Sequence, residues 1–221
     1  MGIITGYICF VSFVLLIGKY VARKSQNKSV NKFFGKIHKV TGYVFVLVCM
    51  IHFLLVIPVL ATRNLWVTIW GIIGFAIAIV LIASKYLIKN GKKTMHWHRV
   101  FSVVILCAVI LHIVVYFVDF NQYQQSISSI EIGEIDLSKV ADGSYVGDCD
   151  AGYIYAKVQV TVQDGKIEEI TILEHKNEHG QRAESIIDKI VGEQRLDVDA
   201  VSGASNSSLV IKKACEKALC Q

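Results

Sequence analysis

The 221-residue chain is 53% hydrophobic with a single proline, and its formal net charge of +5 hides a sharp partition. All 18 Asp and Glu residues lie at Asp119 or later, so residues 1–118 carry +13 and the remainder −8. A soluble domain mixes both signs on its surface, which excludes the first half from that class and places a boundary near residue 120. The organisation expected is a membrane domain over residues 1–120, a tether over 121–136 and a second domain over 137–221. No nucleic-acid partner is expected.

Four stretches have the length and apolarity of a bilayer crossing, which takes roughly 20 residues. They run from about Gly2 to Gly18, Ile37 to Leu60, Leu65 to Ala83 and Val100 to Val118. A cleaved signal peptide is not expected at the first, because its positive charge follows the apolar run instead of preceding it. The segment from Lys19 to Lys39 holds seven basic residues and that from Ser84 to Arg99 holds five, whereas the short second loop has only Arg63. By the positive-inside rule the first and third loops face the cytoplasm, leaving the amino terminus and the acidic half outside. Trp66 and Trp70 at the outer interface, and Trp97 at the inner one, fit an aromatic belt.

Histidines carry the chemistry of this half. His38 and His52 sit on the second span and His98 and His112 on the fourth, each pair 14 residues apart. In a helix that spacing leaves two imidazoles about 40° apart on one face and about 21 Å apart along the axis. With alternating crossings, His38 is level with His98 near the cytoplasm and His52 with His112 near the outside. His96 would point about 160° away from His112 and drops out as a ligand. The segments His38–His52 and His98–His112 also align without gaps, Gly42 matching Ser102. One intramembrane histidine is most simply a packed core residue. Four at matched spacing are costly in hydrocarbon and point to function. Ligands about 21 Å apart cannot share one ion, so two b haems, each with two axial histidines, are expected. The arrangement resembles the di-haem cores of the ferric-reductase-like and cytochrome b561-like membrane families, which often carry more helices.

In the acidic half, Asn121 to Asp136 is rich in Gln, Ser and Asn and reads as a tether. Gly143 to Gly147 begins a strand, and Tyr153 to Val162 forms the next, with Val158, Val160 and Val162 alternating. Asp164-Gly165 is a turn signal before a returning strand from Lys166 to Leu173. Gln181 to Val191 and Ser207 to Leu219 read as helices, the second capped by its serine cluster. The fold class is therefore a membrane all-α four-helix bundle plus a small extracytoplasmic α+β domain. The loop Asp199-Ala-Val-Ser-Gly-Ala-Ser-Asn-Ser207 allows two readings on local chemistry. It is an N-cap cluster and nothing more, or a phosphate cradle whose serine hydroxyls add donors or a phosphoester oxygen.

Asp142-Gly-Ser-Tyr-Val-Gly147, Gly165-Lys-Ile167, Glu174-His175 and Asp199-x-x-Ser202-Gly203-Ala204-Ser205-x-Ser207 together resemble the FMN-binding domain of subunits in Rnf and Na⁺-translocating NADH:quinone reductase complexes. The resemblance implies that an extracytoplasmic flavin transferase attaches FMN through its phosphate to Ser205, which stands where the family more usually has Thr. It implies Asp199, Ser202, Gly203, Ala204, Ser207 and His175 as further cofactor-binding residues. Glu178 and His179 are read as surface or flavin-pocket lining. Cys9, Cys49 and Cys107 are small apolar residues of the spans, and Cys149 is free to pair with Cys215 or Cys220 if any disulfide forms. No Cys-x-x-Cys is present.

The function expected is transmembrane electron transfer, as an oxidoreductase component of the cell membrane. Two haem b and FMN would link a cytoplasmic or membrane donor, a quinol or a reductase, to an extracytoplasmic acceptor. A terminal extracytoplasmic reductase of ferric iron or a small substrate, and a non-redox anchored binding module, are the alternatives. Without a Gly-x-Gly-x-x-Gly segment, NAD(P)H acts only through a partner.

Overall fold

The computed structural model describes residues 2–87 and 91–220, with nothing stated for the side chains of residues 85 and 87. Lys89, one of the basic residues of the third loop, lies outside the described residues. The chain divides into two compact units, Met1–Leu60 with Asn64–Tyr116, and Ala61–Arg63 with Phe117–Gln221.

The first unit is helical: α1 (Gly2–Lys24), α2 (Lys28–Val56), a 3₁₀ segment (Ile57–Thr62), α3 (Leu65–Leu87) and α4 (Gly91–Ser128), whose last turns belong to the second unit. Among the described residues these four helices are long and apolar enough to cross a membrane, which supports a membrane protein. They are longer than the apolar stretches that announce them. Residues 19–39 are not a loop: only Ser25, Gln26 and Asn27 separate α1 from α2, and Asn27 caps α2 by accepting from the backbone N–H of Ser29 (3.0 Å) and Val30 (3.2 Å). Helical hydrogen bonding is indifferent to whether a side chain is basic, so Lys28, Lys32, Lys36 and Lys39 ride on α2. Likewise α4 runs through Ser128, making the first eight residues of the expected tether helical. Phe13, Phe45, Ala78 and Ile105, one from each helix, form the buried centre of the unit.

The second unit is built on an antiparallel sheet of order β1-β2-β3, with β1 Gly143–Asp150, β2 Tyr155–Gln163 and β3 Lys166–Lys176. The Asp164-Gly165 signal forms the β2–β3 hairpin, both residues taking positive φ (52° and 69°) as a type I′ turn requires. Along β2 the alternation expected from Val158, Val160 and Val162 is realised, and all three are 0–1% exposed. The stretch read as one helix from Gln181 splits into a 3₁₀ turn (Gln181–Ser185) and α5 (Ile186–Glu193).

Helix α6 (Ser205–Leu219) covers the sheet through Val210, Ile211, Ala214, Cys215 and Ala218, all fully buried. At Gly147 the α6 backbone lies so close that a Cβ would collide with Ala214 O and Ala218 N. Gly147→Ala should therefore cost about 1–3 kcal/mol through overpacking. In a domain of this size that lowers Tm by roughly 4–8 °C per kcal/mol, a shift a thermal melt of the purified protein resolves.

All six cysteines are free thiols, so the disulfide allowed for Cys149 is not formed. Burial pushes the Cys215 thiol up to about 12. Since the thiolate is the reactive form, maleimide at neutral pH should label exposed Cys220 in the folded protein and reach Cys215 only after denaturation. Mass mapping of the labelled peptides checks this.

Candidate functional site

The loop before α6 places its serines in different environments. Gly203 takes φ +76°, a left-handed conformation that favours glycine, and redirects the chain just before the helix. Ala204 N–H then bonds to Val201 O (3.0 Å), and α6 begins at Ser205 with Ala204 as N-cap and no side-chain cap. The expected serine cap is not formed, and the buried Ser208 hydroxyl instead accepts from Val201 N–H of the preceding loop (3.0 Å). Ser207 is buried too, against Gly180. Ser202 is exposed, and Asp199 is exposed with its carbonyl accepting from Lys189 Nζ (3.3 Å).

Ser205 is exposed and opens into a cavity of about 370 Å³. That volume lies within the range of small-molecule pockets. Gly203, Ala204, Ser205 and Ser207 line it, as do Glu178 and His179, whereas Asp199, Ser202 and His175 do not. His175 is instead 2% exposed at its side chain and pairs with Glu184 (2.9 Å), its Nε2 buried without a hydrogen-bond partner. The first turn of α6 presents unpaired backbone N–H groups and the positive end of the helix dipole beside the Ser205 hydroxyl, an arrangement suited to a phosphate.

The rest of the cavity comes from residues with no motif. Tyr123 and Tyr153 stack with ring centroids 4.5 Å apart and planes 17° from parallel, and both line the cavity. Asn206 donates to the Tyr123 hydroxyl (2.8 Å), and the Tyr153 hydroxyl donates to Asp119 (2.7 Å). The Arg63 guanidinium lies 3.7 Å from the Tyr153 ring centroid and forms an ion pair with Glu178. Burial first, and then the Asp119 bond, hold the Tyr153 phenol protonated well above its usual range. Tyr123 belongs to no motif and lies in a polar stretch that reads as a tether. Its aromaticity amid Gln and Asn was the one available signal.

In the first unit, His38 and His98 come together, and His52 and His112 are each held by a backbone carbonyl. The rings of His38 and His98 have centroids 6.2 Å apart at 77°. Two imidazoles on opposite faces of one metal, with metal–nitrogen bonds of about 2 Å, have centroids roughly 6 Å apart, so this pair fits axial ligation. His52 Nδ1 lies 3.0 Å from Gly2 O and 3.1 Å from Thr5 Oγ1, and His112 Nδ1 lies 2.9 Å from Val67 O. A carbonyl only accepts, so each Nδ1 carries the proton and each Nε2 keeps a lone pair for a metal. Gly6 and Gly71 make room for these rings: a Cβ there would lie 3.3 Å from His52 Cε1 and 3.1 Å from His112 Cε1. His38 Nδ1 is buried without a partner. Among the described residues no three His, Cys, Asp or Glu side chains gather to hold an ion. Two nitrogens per pair suffice for a haem, whose macrocycle supplies the other four.

Residues 152–220 match the FMN-binding domain family. The second unit thus carries an FMN-binding domain, and flavin-linked electron transfer is the class of function it indicates. The chain is also 32% identical over 87 residues to an uncharacterized protein of Treponema pallidum (strain Nichols). That stretch takes in 38% of this chain and 24% of the relative, so the chain spans about a quarter of the length of the protein it matches. No solved structure matches the chain.

Proposed function

We propose that this protein is a transmembrane electron carrier with two b haems in its helical unit and FMN esterified at Ser205. The observation that carries this reading is the exposed Ser205 hydroxyl, set in a cavity at the start of α6 within the family match. When bound, the haems and the flavin supply the redox chemistry, and the protein supplies ligation, orientation and a low dielectric. His38 and His98 hold the haem near the cytoplasmic face and His52 and His112 the one near the outer face. Lys36, Lys39 and Arg99 neutralise the propionates of the inner group. Gly2 O and Val67 O fix the tautomer of the outer ligands, which keeps Nε2 available to the metal. The basic segments 19–39 and 84–99 put the amino terminus and the FMN-binding unit outside the cytoplasm. There a flavin transferase reaches Ser205. A quinol or a reductase is the donor, and the acceptor is extracytoplasmic.

The test is the spectrum of the purified protein. Dithionite-reduced b-type bands together with flavin fluorescence that survives a denaturing gel support the carrier. A colourless protein sinks it, leaving a membrane-anchored binding module.

A further inference from the structure

The geometry points to the stacked Tyr123–Tyr153 pair, clamped by Arg63, Asp119 and Asn206, as the surface against which the isoalloxazine ring of the Ser205-linked FMN rests. This inference builds on the attachment proposed above and concerns the other end of the cofactor. Arg63, Asp119 and Tyr123 all lie outside residues 152–220, so the family match gives them no role.

The attachment end of the cavity accounts for the phosphate and leaves the ring to be placed. Among the residues lining the cavity with Ser205, Tyr123 and Tyr153 carry the broad rings, and because Tyr153 is covered by Tyr123 on one face and Arg63 on the other, the outer face of Tyr123 is the one left for a ligand ring. A planar aromatic ligand gains most by offset stacking on such faces. The pair is held from both sides. Asn206, the residue after Ser205, donates to Tyr123 (2.8 Å), which ties the stack to the attachment loop. Asp119 accepts from Tyr153 (2.7 Å), and burial keeps that phenol protonated as the donor. Arg63 sits on the Tyr153 ring (3.7 Å) and pairs with Glu178, another lining residue. Its Nη1 is buried with no hydrogen-bond partner among the described residues. A buried donor left unmade is unusual in a folded protein and marks a place where an acceptor belongs. Arg63 does not itself line the cavity and reaches it through Tyr153 and Glu178, which do. Arg63 is thus a positioning residue for Tyr153 and a source of positive charge beside the cavity.

If the stack served only to fix the end of α4, flavin emission would be indifferent to it. Aromatic side chains in contact with a flavin quench its fluorescence, so the ratio of native to denatured emission reads the contact directly. The full-length protein, co-expressed with the flavin transferase, is compared with Tyr123→Leu, Tyr153→Leu and Arg63→Gln at equal attachment on a denaturing gel. Expected are a severalfold lower emission in the native wild type than after denaturation, loss of most of that difference in Tyr123→Leu, and a smaller loss in Tyr153→Leu, which removes the ring that backs Tyr123. Arg63→Gln, which spares both rings and the fold of the sheet, should raise native emission in part. It should also lower the flavin midpoint potential, because reduction adds negative charge that a nearby guanidinium favours. Arg63→Lys restores part of both. Wild-type emission that denaturation leaves unchanged, or equal ratios in all variants, overturns the placement while leaving Ser205 attachment intact. A wild-type gel band without flavin overturns the attachment and this inference together.

Discussion

Ser205→Ala should abolish the fluorescent flavin band of the denatured protein while leaving the second unit folded. The hydroxyls of the loop are not interchangeable. Ser207 and Ser208 are 2% and 0% exposed, and Ser208 is committed to Val201 N–H. Ser202 is exposed but lies outside the cavity, whereas Ser205 is exposed and lines it. Ser205 makes no capping bond at the start of α6, so alanine removes no structural hydrogen bond there. Alanine is also the best helix former, and exposed substitutions of this kind stay within about ±0.5 kcal/mol. Ser205→Thr keeps the hydroxyl and should retain the band, and Ser202→Ala should retain it in full. Fluorescence persisting in Ser205→Ala refutes the attachment site, and loss in Ser202→Ala moves it.

The second large effect is on haem. His52→Ala should lower haem content by roughly half, read as the pyridine haemochrome per chain, since a bis-histidine site that loses one axial ligand loses its hold on the group. Under the proposed assignment the retained haem would be that of His38 and His98, whose ring centroids lie 6.2 Å apart. His38→Ala should remove the complementary half. In-gel flavin stays at the wild-type level in both, because Ser205 belongs to the other compact unit. Unchanged haem content in His52→Ala rejects the outer assignment. Gly71→Val offers an independent check. A Cβ at that position already crowds His112 to 3.1 Å, and the larger side chain must displace the ring. Its expected signature is a perturbed outer-haem spectrum at normal protein yield.

Local signals were enough for much of this molecule. Charge partition and apolar run length announced the four helices, because both are properties of composition. The period of 3.6 residues turned the 14-residue spacings into two histidine levels, and His38 and His98 do meet. Asp164-Gly165 announced its hairpin, since a type I′ turn demands residues tolerant of positive φ. The position of Ser205 followed from a motif contained within a few residues.

Tertiary structure decided what depends on distant partners. Helix ends moved because backbone hydrogen bonds continue past the apolar stretch, carrying α4 to Ser128 and Tyr123 into the cavity wall. The carbonyls at His52 and His112 come from Gly2 and Val67, 50 and 45 residues away, and no sequence pattern marks a backbone oxygen. The left-handed Gly203 leaves Ser202 and Asp199 outside the cavity that Ser205 enters, although all three share one motif. Arg63, Asp119, Tyr123 and Tyr153 converge only because the chain brings residues 30 to 115 positions apart into contact with one another and with Glu178. Sequence named the atom proposed to bear the flavin. Folding alone chose the aromatic wall that faces it, since stacking needs surfaces to meet in space and leaves no periodic trace along the chain.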